Sequence, residues 1–335
     1  MRKAMVVGTA LTFLVVASAG AQSATNACPP GTSALDPARQ TQDACQMALD
    51  VFDLMAPQLG LALTGGNATL GQGGNLGGPG HFSIGLRGNV FSGDLPKVND
   101  FPTSSPTGRP NPRTGANALP AKRQIVGLPT ADAALGIFRG VPLGLTNVGG
   151  IDLLLSATYV PNVGDAGDDI QVKPDRNWQF GYGARIGLLQ ESLVVPGVSF
   201  TYLKRDFPTT NITGSGSGVG IDVTDAKIKT SAFRIVASKS LVLFGLAAGV
   251  GQDRYSESAL VSGTAGTFVS PQVTFDQKLT RTNYFLDASL NLPVFKLIGE
   301  VGQVSGGTVD TYNEFTTGRA DKSRTYGSVG FRLGF

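Results

Sequence analysis

The stretch GSVGFRLGF, residues 327–335, carries the pattern on which the fold prediction rests. Apolar side chains alternate there with polar or very small ones, and the apolar set is Val329, Phe331, Leu333 and Phe335. Because successive side chains of a β-strand point to opposite faces, the stretch predicts a strand with one apolar and one polar face. Such a strand occurs in soluble sandwiches, with its apolar face toward a core, and in transmembrane barrels, with that face toward lipid.

The same two-residue period recurs through most of the preceding chain. It is clear in HFSIGLRGNV (81–90), GIDLLLSATYV (150–160) and NWQFGYGARIGLL (177–189). The least regular of the predicted strands lies in QIVGLPTADAALGIFRG (124–140), which contains Pro129 and lacks a clean alternation. The pattern predicts ten strands, an even number as in bacterial barrels, near residues 81–91, 124–138, 150–160, 176–189, 193–206, 221–238, 241–255, 273–291, 294–305 and 322–335.

The connections between these segments favour a barrel over a sandwich. Short links, QES at 190–192, KS at 239–240 and LP at 292–293, alternate with long polar ones such as residues 93–123. Outer-membrane barrels have short periplasmic turns and long external loops in this alternation. The composition agrees, because 41% of residues are hydrophobic and 15% are charged, against roughly 25% charged in a typical soluble domain. We therefore expect an all-β antiparallel transmembrane barrel over residues 81–335, with ten strands in a range of ten to fourteen.

The first residues predict export from the cytoplasm. Arg2 and Lys3 precede an apolar stretch, residues 4–16, and then small residues, which together predict a signal peptide over residues 1–21. A membrane-spanning helix would need roughly 20 apolar residues, more than this stretch has. Without Arg2 and Lys3 the basic residues fall from 27 to 25 against 24 acidic ones. A chain so close to neutral indicates no nucleic-acid partner.

Cys28 and Cys45 are the only two cysteines. In an oxidising periplasm they are expected to form a disulfide, worth about 3 kcal/mol in the chain-entropy model. A metal site at these cysteines lacks further ligands, because His81 is the only histidine and lies far away in the sequence. We expect no metal and no cofactor.

Residues 22–56 contain one predicted helix, DPARQTQDACQMALDVFDLM at 36–55. Asp36 can cap it, Pro37 suits its first position, and apolar residues follow at spacings of three and four. Its apolar face needs a partner. Docking at the periplasmic mouth of the barrel and packing inside the lumen both remain open.

Residues 57–80 are rich in glycine but are interspersed with leucines. Glycine loses much backbone entropy on ordering, so the segment suits neither a stable helix nor a long strand. A flexible linker would not need the leucines. We expect a compact plug in the barrel lumen, with Leu59, Leu63, Gly65, Gly66, Asn67, Leu70 and Leu76 as its candidate residues.

Charged residues occur in the lumen-facing phase of the predicted strands. They are Arg87, Asp152, Arg185, Arg234, Asp287, Glu300 and Arg332. Unpaired charges away from water cost several kcal/mol, so such residues commonly pair with one another or with backbone groups. A structural network that holds the lumen contents is the first interpretation, and the lining of a conduit is the second. Catalysis is not expected, because His81 begins the first strand at the periplasmic end with no accompanying motif.

The glycine-rich GLALTGGNATLGQGGNLGGPGHFSIGLRGN, residues 60–89, runs into the first strand and resembles the FadL-type family of hydrophobic-compound channels. The resemblance implies an N-terminal hatch that plugs the barrel and lateral exit of substrates through a strand irregularity. The chain lacks an asparagine-proline-alanine hatch motif, and it has ten predicted strands where that family has fourteen, so no functional residue carries over. The terminal Phe335 resembles the C-terminal signal that the barrel-assembly machinery reads.

These patterns predict a barrel in the outer membrane of a Gram-negative (diderm) bacterium, with outer-membrane lipids and the barrel-assembly machinery as partners. The first functional hypothesis is gated passive uptake of a small hydrophobic solute. The alternative is a closed structural or surface-binding barrel that acts through its long loops, residues 93–123 and 207–220 above all.

Overall fold

A computed structural model describes residues 28, 36–102, 112–165, 168–216 and 218–334. The predicted signal peptide, residues 1–21, and Phe335 lie outside these ranges. One α-helix, α1, spans Asp36–Thr64, and two short 3-10 helices span Val98–Asp100 and Gly115–Asn117. The strands, in chain order, are β1 (Phe82–Pro96), β2 (Ala121–Phe138), β3 (Val141–Leu143), β4 (Thr146–Val148), β5 (Gly150–Tyr159), β6 (Gln171–Pro174), β7 (Trp178–Leu189), β8 (Gly197–Asp206), β9 (Thr210–Gly216), β10 (Val219–Ser240), β11 (Phe244–Ala265), β12 (Phe268–Val269), β13 (Val273–Asn291), β14 (Lys296–Val304) and β15 (Arg324–Gly334).

The main sheet closes on itself as a barrel. It contains thirteen strands, of which β6, β9 and β12 lie outside the ring, and this leaves ten in the wall. The wall follows the order β1, β2, β5, β7, β8, β10, β11, β13, β14 and β15. Antiparallel pairing of β15 with β1 and of β10 with β11 completes the ring. The predicted ten-stranded antiparallel barrel is therefore confirmed.

The two ends of the barrel differ in their connections. At one end, here called the turn end, β10 is joined to β11 by residues 241–243, and β13 to β14 by residues 292–295. The turn end also carries the small β3–β4 hairpin, which was not predicted. The opposite end, here called the loop end, carries the long connections 97–120, 160–177 and 305–323.

The wall is apolar outside and polar inside. Phe180, Leu246 and Val329 face outward and are 74%, 64% and 66% exposed. Asp152 and Arg185 face inward and are 0% and 1% exposed. A soluble sandwich would have its apolar side chains in the core, so this distribution favours a transmembrane barrel.

Several strands extend further toward the loop end than predicted. β2 begins at Ala121, β10 begins at Val219 and β11 continues to Ala265. These extensions, like the outer strands β6 and β9, contain many lysines, serines, threonines and glycines. Their outward faces are polar, so the apolar half of the two-residue pattern disappears there and the sequence resembles a loop.

Helix α1 is longer than predicted, because it continues through Pro57 to Thr64. Proline cannot donate a hydrogen bond to the helix, but Leu61, Ala62 and Leu63 beyond it are fully buried, and their packing stabilises the added turns. Residues 39–64 are long and apolar enough to cross a membrane, but most of that helix is buried within the protein. It is the core helix of the barrel.

The contacts of α1 place it inside the loop-end half of the lumen. Its early turns lie against Gly263, near the loop end of β11. The Phe52 ring packs edge-to-face on Phe275 of β13, with 5.3 Å between ring centroids. The Thr64 hydroxyl lies 3.0 Å from that of Tyr255, further down β11. Of the two placements that the sequence left open, these contacts correspond to packing in the lumen.

Candidate functional site: a filled lumen and an opening in the wall

The segment of residues 65–80, here called the lumen segment, continues from the end of α1 toward the turn end. The Gly73 N–H donates to the Ser238 hydroxyl at 2.9 Å, and the Leu76 N–H donates to the Asp152 carboxylate at 3.1 Å. Ser238 and Asp152 lie near the turn end of β10 and β5. The chain then reaches His81 and enters β1, so the segment occupies the turn-end half of the lumen.

Two carboxyl groups of the wall bind the beginning of this segment, next to the end of α1. Asp287 of β13 and Glu300 of β14 are directly opposite each other in the sheet, where two like charges disfavour each other. Asn67 lies against both, because its N–H donates to Glu300 at 2.8 Å and its side-chain amide donates to Asp287 at 2.9 Å. The Gly71 N–H also donates to Asp287, at 3.0 Å. Asn67 therefore offsets the repulsion of this acidic pair.

Wall arginines bind the carbonyl groups of the same segment. Arg87 donates to the Asn67 carbonyl at 2.6 Å, and Arg332 donates to that of Leu70 at 2.7 Å. Arg234 donates to the Thr64 carbonyl at 2.9 Å and pairs with Asp253 at 2.5 Å. Each arginine is at most 8% exposed. Guanidinium groups thus satisfy carbonyls that neither a helix nor a sheet satisfies in this stretch.

Three further ion pairs lie within the wall. Arg185 and Asp152 are both buried and 2.8 Å apart. Asp132 of β2 pairs with Arg87 at 2.9 Å and with Arg205 of β8 at 2.7 Å. Arg205 also donates to the Leu63 carbonyl at 3.1 Å. The seven charges predicted to face the lumen are at most 8% exposed, and most of them contact the lumen segment.

Sequence reasoning missed Asp132, Arg205 and Asp253, which complete these contacts. A signal was present for Arg205, because it alternates with Val198, Phe200 and Tyr202 in GVSFTYLKRD, whereas Asp132 lies in a segment without a clean alternation. Asp253 follows a stretch of β11 that is apolar on both faces, so its phase could not be read. Of the predicted plug residues, Leu59 and Leu63 lie on α1, and the others lie on the lumen segment.

Close packing at two glycines shows how tightly the segment fits. Gly66 has a φ of 85°, in the left-handed region, and a Cβ there would overlap the Glu300 carboxylate. At Gly136 of β2 a Cβ would overlap the Gly78 carbonyl. Glycine is required at Gly66 for its conformation and at both positions for the close approach.

The loop-end connections hold the first half of α1. Asp43 pairs with Arg113 at 2.5 Å, and Asp50 accepts hydrogen bonds from the N–H groups of Tyr312 and Asn313, each at 3.0 Å. Burial raises the pKa of Asp50 to about 7, against hydrogen bonds from Asn313, Gln46 and Tyr312 that lower it. The Cys28–Cys45 disulfide is confirmed and joins the first turns of the helix to the preceding chain.

The wall has a gap between β2 and the chain that follows β5. β2 pairs with β1 over its whole length, to Ala121, but its pairing with β5 begins only at Thr130. Pro129, directly before Thr130, has no N–H to extend that ladder. Beyond β5 the chain leaves β2, and Val163 instead forms a β-bridge with Val172 of β6. Residues 121–129 of β2 are therefore unpaired on one side.

A cavity of about 370 Å³ lies at this gap. Its apolar lining comes from α1, β2 and the loop-end connections, and includes Met55, Leu59, Val126, Leu128, Ile170 and Phe207. Its polar lining residues are Gln58, Asp94, Lys122, Gln124, Asp168 and Asp169. The helix lines the inner side, so the gap leads to the buried core and not down the axis of the lumen.

One ion pair spans the gap. Lys122 of β2 lies 3.0 Å from Asp169 of the 160–177 connection, with side chains 47% and 18% exposed. Exposed pairs of this kind contribute about 0–1 kcal/mol. The pair therefore links β2 and the 160–177 connection only weakly.

A wider groove of about 870 Å³ lies on the exterior of the barrel. It crosses the outward faces of β10, β11, β13, β14 and β15, where Ala248 and Ala288 have short side chains and Gly299 has none. The groove is open to the surroundings of the barrel, and the small residues at these positions of the wall account for its depth. Among the residues that the structure describes, no group of histidine, cysteine or acidic side chains could hold a metal ion. His81 lies at the turn end with its ring nitrogen 3.3 Å from the Gly78 carbonyl.

Comparison with known proteins gives likenesses to solved barrels only. No family model matches the chain, and no curated protein matches it. The Pseudomonas putida toluene transporter TodX aligns at 10% identity over 82% of this chain and 95% of TodX, with a TM-score of 0.35. A deltaS2S3 mutant of TodX, described as a monoaromatic hydrocarbon channel, aligns at 9% identity over 82% and 74%, with a TM-score of 0.31.

OmpT of Vibrio cholerae aligns at 10% identity over 76% of this chain and 97% of its own, with a TM-score of 0.16. At such identities and TM-scores the likenesses decide nothing about solute or mechanism. Those follow from the geometry of this chain.

Proposed function

We propose that this protein is an outer-membrane barrel that admits a small hydrophobic solute passively through the gap beside β2. The cavity at that gap is the observation that carries the proposal. It lies where the wall is open, its lining is mainly apolar, and α1 forms its inner side. Ligand sites in proteins are commonly concave and apolar with a few polar groups at the margin.

The volume of the cavity limits the solute to a small molecule. An apolar cavity of about 150 Å³ binds benzene, so about 370 Å³ is room for a hydrocarbon of one or two rings. Burying the apolar surface of such a molecule releases about 25 cal/mol per Å². Gln58 and Gln124 add polar groups to a lining that is mainly apolar.

The axis of the barrel is closed in this proposal. α1 fills the loop-end half, and the lumen segment, bound by the acids and arginines described above, fills the rest. Asn67, Gly71, Gly73 and Leu76 each donate at least one hydrogen bond to a wall side chain. The segment acts as a plug against water and ions, while the Lys122–Asp169 pair gates the side opening.

The apolar exterior suits a place in the outer membrane of a Gram-negative bacterium, with lipids around the wall and the barrel-assembly machinery as the inserting partner. The turn end then faces the periplasm and the loop end faces outward. A solute from outside meets the gap at the loop end, between β2 and residues 160–170.

The packed lumen also favours a second candidate, a closed structural or surface-binding barrel that works through its external loops. Equilibrium binding of toluene to the refolded, detergent-solubilised protein, measured by calorimetry, separates the two. Uptake predicts saturable binding that falls at least tenfold in Leu59→Trp, which fills the cavity. The matched control, Leu153→Trp on the outer face of β5, keeps it. A folded wild type without saturable binding contradicts uptake and favours the closed barrel.

A further inference from the structure

Four basic side chains form a ladder on the outside of the barrel toward the loop end. They are Lys204 of β8, Lys229 of β10, Arg254 of β11 and Lys278 of β13, one on each of four adjacent strands. Each occupies an outward position of its strand, and the last three are exposed. We call these four residues the basic ladder.

The strand register sets the spacing of the ladder. Lys229 is directly opposite Asp206 on β8 and Ser256 on β11, so Lys204 and Arg254 are its diagonal neighbours. Arg254 is directly opposite Thr280 on β13, so Lys278 is diagonal to it. Diagonal neighbours in a sheet lie about 7–8 Å apart. The four cations therefore form one continuous line across the wall.

The acidic neighbours of this line are Asp206, directly opposite Lys229, and Asp276, two residues before Lys278 on β13, and they are fewer than its four cations. Lys204 pairs loosely with Asp206, at 3.6 Å. Among the described residues no ion pair involves Lys229, Arg254 or Lys278. Arg254 instead donates to the Gln252 side chain at 3.1 Å. Like charges so close disfavour each other, and an anion from outside would remove that cost.

The surroundings of the ladder suit a lipid headgroup. Ser231, Ser256 and Thr280 lie opposite its members and supply hydroxyl groups. The rings of Phe200, Tyr202 and Phe233 cluster next to it, with centroids of the last two 5.0 Å apart, and Arg254 lies 5.1 Å above the Phe233 ring. Aromatic side chains of this kind settle at the level of lipid headgroups.

Two strands on the other side of the described wall, β5 and β7, have no such feature. The outward positions of β5 are Ile151, Leu153, Leu155, Ala157 and Tyr159, and none of them is charged. The same holds for β7, whose outward residues run from Trp178 to Leu188. The ladder is thus confined to one side of the barrel, although the chain as a whole is close to neutral.

We infer that the basic ladder binds a phosphate-bearing glycolipid of the leaflet at the loop end, with its phosphates on the cations and its acyl chains along the apolar wall below. The inference rests on the membrane placement in the proposed function and is independent of the solute. The lipid A part of lipopolysaccharide has this chemistry.

The test is binding of lipid to the refolded full barrel in zwitterionic detergent, counted by native mass spectrometry. The probes are diphosphorylated lipid A, the same lipid without its phosphates, and inorganic phosphate as a competitor. The triple variant Lys229→Gln, Arg254→Gln, Lys278→Gln is compared with a control that also loses three exposed loop-end cations, Arg123→Gln, Lys173→Gln, Arg176→Gln. Heat-modifiable migration on gels checks that each variant is folded.

The expected result is retention of the diphosphorylated lipid by the wild type and the control, with about 100-fold weaker binding by the triple variant. This follows from about fivefold per cation near a lipid surface. Equal retention of the dephosphorylated lipid by the wild type, undiminished binding by a folded triple variant, or displacement by equimolar inorganic phosphate would each overturn the inference. The lipid comparison needs only the wild type, so it stands if a variant does not fold. Toluene binding by the same samples tests the solute cavity separately.

Discussion

Replacement of Asn67 by alanine tests the role of the lumen segment most sharply. The variant keeps the backbone contacts of residue 67, namely its N–H to Glu300 and its carbonyl to Arg87. It loses the side-chain donation to Asp287 at 2.9 Å, the donation to the Gln72 carbonyl at 3.2 Å, and the acceptance from the Thr69 N–H at 3.2 Å. Asn67 is 2% exposed, so water does not readily replace these bonds.

The magnitude follows from the kinds of bond that are lost. A hydrogen bond to a charged group contributes about 1.5–3 kcal/mol, and a neutral one about 0.5–1.5 kcal/mol, with the long ones at the low end. The free energy of releasing the segment from the wall should fall by about 3 kcal/mol. At 1.4 kcal/mol per factor of ten, the released population rises about 100-fold.

Amide hydrogen exchange of the refolded protein measures this population, because local opening sets the exchange rate of protected amides. The amides of Gly71, Gly73 and Leu76 should exchange about 100-fold faster in the variant, with those of the β10–β11 ladder unchanged. Asn211→Ala, an exposed asparagine that accepts one bond from the Asp225 N–H at 3.2 Å, is the matched control. Wild-type protection of these three amides in Asn67→Ala would refute the reasoning.

Three further predictions concern single contacts. Asp132→Leu leaves Arg87 and Arg205 buried without their acid, and should lower the free energy of unfolding by about 3–5 kcal/mol in urea titrations; a loss below about 1 kcal/mol contradicts this. Replacing Cys28 and Cys45 by serine should lower the free energy of unfolding by about 3 kcal/mol. The urea midpoint of this variant should be lower than that of the control Arg176→Gln, which keeps both cysteines. Lys122→Met should change unfolding by less than about 1 kcal/mol, because its pair with Asp169 is exposed, but should speed toluene association in stopped-flow mixing; unchanged association means that the pair is not a gate.

The barrel could be predicted because its membrane-facing strands carry a strong two-residue period. Outward positions such as Phe180 and Tyr182 must be apolar where lipid covers them, and inward positions such as Arg185 must be polar or small in a filled lumen. The period fixes which face each residue takes. The assignment of the seven charges to the lumen rests on that period, and all seven are buried.

The loop-end extensions could not be predicted in the same way. Residues 219–220 of β10 and 256–265 of β11 are strand residues beyond the predicted bounds, and the outward side chains of this part of β11 are mainly polar. Polar residues suffice there, and the period that marks a transmembrane strand is absent. The basic ladder lies next to these extensions and was missed for the same reason.

The candidate solute cavity depends on contacts far apart in the sequence. Met55 and Leu59 reach it only because α1 continues through Pro57, where a sequence-based prediction ends a helix. Ile170 and Phe207 come from separate connections with no periodic pattern. Pro129 was noted as irregular in its strand, but its consequence, the missing ladder beside β2, depends on the path of the chain after β5.

The central claim is that solute enters through the gap beside β2, while the axis of the lumen stays closed. The most direct test is the initial rate of toluene uptake by proteoliposomes that contain the refolded protein. Val126→Trp, which places a large side chain in the cavity lining, should lower the rate at least tenfold, while Leu153→Trp on the outer wall should match the wild type. If Val126→Trp transports like the wild type and Asn67→Ala transports faster, the solute follows the axis and the account is contradicted.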